Sequence, residues 1–111
     1  MTEQTSLEAL AREHAEIAAS ASSGRSAHTV YGGHEQALRQ TLIALTAGAS
    51  LSEHENPGEA TIQILHGRIR LRAGTDTWDG RGGDLIVIPQ ARHSLDAVEN
   101  AVVLLTVAKH A

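Results

Sequence analysis

The chain has 111 residues, 41% of them hydrophobic, with one Trp, one Tyr, no Phe, no Cys and a net charge of −4. A single domain of this length buries about 60% of its unfolded surface, and here Leu, Ile, Val and Ala must fill the core. Without cysteine there are no disulfides, thiolate nucleophiles or sulfur-bound clusters, and scarce aromatics with negative charge argue against sugar faces and against nucleic acid as a partner.

Residues 5 to about 22 read as a helix. Thr5 and Glu8 have capping-box spacing, and Leu7, Leu10, His14, Ile17 and Ala21 recur every three or four residues opposite Glu3, Glu8, Arg12, Glu13 and Glu16. The N-terminus MTEQTSLEAL lacks the basic and apolar regions of a leader, and no apolar run reaches membrane-spanning length. A cytoplasmic protein with no membrane partner is expected. The small-residue stretch SASSGRS then ends the helical period, so residues 1–26 are expected to be helix and linker and 27–111 a single β-domain.

Eight short β runs follow, at 27–31, 37–46, 51–54, 60–66, 68–72, 84–88, 94–98 and 101–107, separated by turns such as Gly32-Gly33, Gly48 and the segments 74–76 and 80–83. Strands at this spacing after a single helix indicate an all-β sandwich or closed barrel. Gly80, Gly82 and Gly83 fall between β runs and make no phosphate loop.

Five residues separate Gly48 from His54, and five separate Gly83 from Pro89, with His93 close behind. On these residues and Gly67, the stretch from Ala37 to Val107 resembles the cupin superfamily, specifically a small RmlC-like cupin. The resemblance implies an all-β jelly-roll barrel preceded by one N-terminal α-helix. The first cupin motif carries a His-x-His pair, a glutamate and a closing glycine, and the second motif adds one more histidine. Here Asn56 stands at the second histidine of the pair and Ala60 at the glutamate, so the metal motif is degenerate.

Two readings of the site follow. In the first, His54, Asn56, Gln63 and His93 form the polar end of an aliphatic pocket that binds a small organic ligand. In the second, His54 and His93 ligate a divalent transition metal (Cu, Zn, Fe or Ni) in an oxygenase or isomerase, with Asn56 and Gln63 offering amide oxygens. Amide oxygens are weak donors, so the first reading is preferred.

The other polar groups have structural readings. His14 is expected to pack on the helix stripe, His28 and His34 to flank a solvated hairpin, and His66 to be exposed beside Gly67. Arg68, Arg70 and Arg72 share one strand face, where Asp76, Asp79 and Asp84 are candidate partners, and Glu53, Glu55 and Glu59 crowd a solvated turn. Uncovered strand edges and the amphipathic helix point to a homodimer.

Overall fold

A computed structural model describes residues 2–55 and 58–109. Helix α1 (Leu7–Ser20) is followed by nine strands: β1 (Arg25–Tyr31), β2 (Leu38–Leu45), β3 (Ser50–His54), β4 (Gly58–His66), β5 (Arg68–Ala73), β6 (Asp76–Arg81), β7 (Leu85–Val87), β8 (His93–Ala97) and β9 (Ala101–Lys109). They form a five-stranded sheet in the order β1-β2-β9-β4-β7 and a four-stranded sheet in the order β3-β8-β5-β6, with antiparallel pairing throughout.

The alternation of β4 shows how the core is built. Ala60, Ile62 and Ile64 point between the sheets and are buried, while Glu59 and Gln63 point outward. Ile43 and Leu45 of β2, Ile69 and Leu71 of β5, Leu95 of β8 and Val103 of β9 meet them there. Each fully buried Leu or Ile contributes about 1.5–3 kcal/mol by leaving water, which makes this inter-sheet layer the main driving force for folding.

The near-continuous apolar runs in β2 and β9 have a second cause. Their outward-facing Leu42, Ala44, Val102 and Leu104 are also buried, because α1 lies across the outside of β1, β2 and β9 and covers them with Leu7, Leu10, Ala11 and Ala18. Two-sided burial replaces polar alternation with an unbroken hydrophobic run.

The cap of α1 differs from the expectation by one residue. Ser6 is the N-cap, accepting a 3.1 Å hydrogen bond from the Ala9 amide, and Thr5 lies outside the helix. The helix face is also rotated slightly: Ala11, His14 and Ala18 are buried, whereas Ile17 remains 45% exposed. Small residues at 11 and 18 let the helix sit close to the sheet.

Strand β6 has no counterpart among the β runs read from the sequence, which place turns at 74–76 and 80–83. Its sequence DTWDGR lacks an apolar alternation because it is an edge strand, with only Trp78 and Gly80 on the side facing the core residues Leu71 and Ile69. Gly80 is needed there by packing rather than by backbone angle: a Cβ would stand 2.8 Å from Ile64 Cδ1 and 3.0 Å from Ile86 Cδ1.

On the outside of the four-stranded sheet, the three arginines of β5 form ion pairs, as expected for a solvated face, with Asp79 among the partners the sequence suggested and Asp96 and Glu99 in addition. Arg70 grips Asp79 of β6 through two contacts of 2.6 and 3.0 Å, Arg72 meets Asp96 of β8 at 2.6 Å, and Arg68 reaches Glu99 at 3.9 Å. Asp84 instead accepts from the Arg81 amide within the β6–β7 turn. The hydrogen bond from Arg70 holds the Asp79 carboxyl below its ordinary value, and Asp79 raises the Arg70 guanidinium in return.

Candidate functional site

Strands β3 and β8 bring His54 and His93 together. Leu51 pairs with Leu95 and His54 with His93, so three steps along β3 match two along β8. This is a β-bulge, and it re-aims a side chain. Strict alternation from Leu51 would place Glu53 on the core side and His54 outside; the extra residue sets His54 directly across from His93. Their ring centres are 4.5 Å apart, with planes tilted by 58°.

Both rings are oriented in the same way by their own backbone. His54 Nδ1 lies 2.9 Å from the Ser52 carbonyl oxygen, and His93 Nδ1 lies 2.9 Å from the Ala91 carbonyl oxygen. A carbonyl only accepts, so in the neutral rings Nδ1 carries the proton and donates, and Nε2 is left with its lone pair. Ser52 is unpaired in the ladder because of the bulge, which frees its carbonyl for this task. His93 is buried at 3% exposure, whereas His54 is exposed at the rim. The result is a buried imidazole beside an exposed one, each with its Nδ1 tied to a backbone carbonyl.

An exposed ion pair fastens the same two strands one residue earlier on each. Arg92 donates to Glu53 at 2.8 Å, and that contact raises the Arg92 guanidinium above its ordinary value. Glu53, Glu55 and Glu59 all face solvent, so none of the turn carboxylates is aimed into the sandwich.

The remaining expected site residues fare differently. Gln63 does not join the pair. It is exposed on the outer face of β4, because a residue three positions past the inward Ala60 has the opposite parity. Ala60 is buried at 5% and supplies no donor. Asn56 lies outside the described residues. Among the described residues there is no group of three or more His, Asp or Glu able to hold a metal ion, so the pair offers two donors.

A cleft of about 480 Å³ opens near Ala60, lined by Glu59, Thr61, Val87, Ile88, Gln90, Thr106 and Ala108 and not by either histidine of the pair. Most of these residues belong to the outer face of the five-stranded sheet, so this space is a surface groove and not the interior pocket expected at the histidines.

His28 is exposed on β1, and its ring centre lies 5.3 Å from that of the buried His14 on α1. His34 and His66 are exposed, and His110 lies outside the described residues.

No protein-family model matches the chain, and no curated protein does. Solved structures do match. A conserved protein of unknown function from Streptococcus pyogenes is 29% identical, with a TM-score of 0.73 over 82% of this chain and 79% of that one. An RmlC-like cupin protein from Desulfovibrio desulfuricans is 22% identical, with a TM-score of 0.70 over 97% of this chain and 96% of that one. A cupin superfamily protein from Desulfitobacterium hafniense is 17% identical, with a TM-score of 0.67 over 77% and 79%. The chain therefore has the fold of small RmlC-like cupins, an all-β jelly roll, preceded here by one helix. No helix among the described residues is long and apolar enough to cross a membrane.

Proposed function

We propose that this cupin binds a small organic molecule at a polar end formed by His54 and His93. The observation that carries the reading is the pair itself: two rings 4.5 Å apart, both with Nδ1 tied to a backbone carbonyl and Nε2 directed elsewhere. Two neutral Nε2 atoms accept hydrogen bonds, so the ligand class is one that donates from adjacent hydroxyls, an enol or an undissociated acid. Buried His93 gives the stronger contact and exposed His54 completes it at the entrance.

The second reading, a metal-dependent oxygenase or isomerase, draws on the same distance. A first-row metal about 2.1 Å from each nitrogen lies about 3.2 Å from each ring centre, and two imidazoles at right angles on it have centres about 4.5 Å apart. The donor set therefore fits two adjacent positions of a divalent Cu, Zn, Fe or Ni ion, and the backbone carbonyls are the partners that ligating histidines use. Bound there, the metal would act as a Lewis acid toward a substrate oxygen. Ala60 contributes no anion to hold it, which makes a labile ion the expectation and leaves ligand binding as the leading reading.

The experiment is metal analysis of protein purified without chelator or histidine tag, followed by thermal-shift screening of small hydroxy, enol and carboxylic compounds with and without EDTA. Stabilisation that persists in EDTA and disappears in His93→Ala supports direct binding. Stoichiometric metal lost in both His54→Ala and His93→Ala supports the enzyme. Stabilisation unchanged in His93→Ala overturns both.

A further inference from the structure

The five-stranded sheet ends at β1 and β7 and the four-stranded sheet at β3 and β6, and three of these edges carry devices that discourage pairing with another chain. Strand β1 opens with Arg25 and is bulged between Thr29 and Tyr31, β3 is bulged and carries Glu53, and β6 carries Asp76, Asp79 and Arg81. Strand β7 has none of these. It consists of Leu85, Ile86 and Val87, and its Leu85 and Val87, 62% and 73% exposed, are the two most exposed large hydrophobics among the described residues. Its backbone is open as well. Ile86 pairs with Ile62 of β4, and flanking hydrogen bonds join the Ile88 amide to the Ala60 carbonyl and the Ile64 amide to the Asp84 carbonyl. Hydrogen-bonding direction alternates along an antiparallel strand, so the amides and carbonyls of Leu85 and Val87 point away from β4 to the free edge.

We propose that a second copy of this chain docks on β7, antiparallel about a two-fold axis at Ile86, so that the two five-stranded sheets become one continuous sheet. This register uses every free backbone group of the strand. Leu85 of one copy faces Val87 of the other in a hydrogen-bonded pair on either side of the axis, and the two Ile86 residues face each other as a non-hydrogen-bonded pair. Leu85 also meets Val87 side chain to side chain on the outer face, so the edge is complementary to itself and no charge of β7 is brought against its like. The exposed area fits a partner of this size. A folded monomer of this mass exposes about 5,900 Å², whereas the chain exposes 6788 Å². The surplus, roughly 900 Å², matches the share of about 800 Å² that each partner gives to a standard-size interface. Trp78, 40% exposed on the edge strand β6, lines one cleft of about 440 Å³ together with Leu85 and Val87, so the apolar contact extends beyond the strand itself.

The test uses the full chain, whose lack of cysteine makes a single introduced thiol unambiguous. Ile86→Cys is expected to give a covalent dimer on mild oxidation, because facing Cα atoms of a non-hydrogen-bonded pair lie about 4.5 Å apart, within disulfide reach. Val87→Cys, whose counterpart across the axis is out of register, is expected to cross-link at least tenfold more slowly. Ile86 also packs against the core, so a second measurement rests on the surface position Leu85. The melting midpoint of the unaltered chain is expected to rise by several degrees over a hundredfold increase in concentration, and that of Leu85→Lys to stay fixed. Four results overturn the proposal: a midpoint independent of concentration in the unaltered chain, which leaves the edge to a strand of another protein; a dependence that survives Leu85→Lys, which puts the dimer on another surface; no cross-link in folded Ile86→Cys; or Val87→Cys cross-linking as fast as Ile86→Cys. His54 and His93 lie on the other sheet, so these outcomes are independent of the reading proposed for them.

Discussion

Alanine at two of the motif glycines separates backbone conformation from close approach. Gly48 and Gly67 both have left-handed backbones, at φ of 88° and 80°. At Gly48 a Cβ would meet nothing within 4 Å, so Gly48→Ala costs only the conformational penalty of about 1–2 kcal/mol. At Gly67 the same Cβ would stand 2.0 Å from the Asn100 carbonyl oxygen and 2.8 Å from the Ala101 Cα, both rigid backbone at the start of β9. Relief requires moving Asn100, whose side chain accepts a 2.8 Å bond from the Ala47 amide, so the disturbance spreads to the turn before β3. Gly67→Ala should therefore cost about 4 kcal/mol or more, a large part of the total stability of a small domain. Urea unfolding followed by fluorescence of Trp78, the sole tryptophan, gives both values, and thermal midpoints should fall by roughly 4–8 °C per kcal/mol. Equal losses in the two variants would refute the claim that the approach of β9 dictates glycine at 67.

Three further outcomes follow. Gln63→Ala should leave ligand-induced thermal shifts unchanged, whereas His93→Ala should remove them; a loss in Gln63→Ala would mean that its outward placement is wrong. Asp79 is held below its ordinary 3.8 by Arg70, so the pair's contribution is fully present above that value and is lost as pH falls through the depressed one; melting curves should show Arg70→Ala slightly below the unaltered protein at neutral pH and the two converging in the acid range. Leu85 and Val87 are 62% and 73% exposed on the edge strand β7, and sedimentation should show a homodimer that Val87→Lys converts to monomer; a wild-type monomer at micromolar concentration would end that expectation.

Much of the fold was legible in the sequence because the central strands are buried on one or both faces. Residues 42–45 and 101–105 announce themselves as apolar runs, and the glycines at 48, 67 and 83 mark turns with positive φ. Edge strand β6 was illegible for the complementary reason: Trp78 and Gly80 are its only core-side contributions, and Gly80 reads as a turn residue until Ile64 and Ile86 are seen against it.

The site was legible by motif and not by period. Alternation alone puts His54 on the face away from His93, since nothing in the residues around Ser52 signals a bulge, while spacing from Gly48 picked out the histidine that meets His93. Gln63 is the opposite case, where parity along β4 would have excluded it and proximity in sequence to Ala60 suggested it. The meeting of His14 and His28 depends on where α1 docks, which no local pattern encodes.

The two outer walls of the sandwich wear different coats. One wall is covered by α1 through Leu42, Ala44, Val102 and Leu104, and the other carries the arginines of β5 bonded to β6, β8 and Glu99. Added sodium chloride screens the ionic coat, whereas chilling weakens the oily one. A single molecule thus has two faces that can be loosened one at a time by the choice of solvent, and hydrogen exchange mapped at high salt and near freezing would trace opposite halves of it.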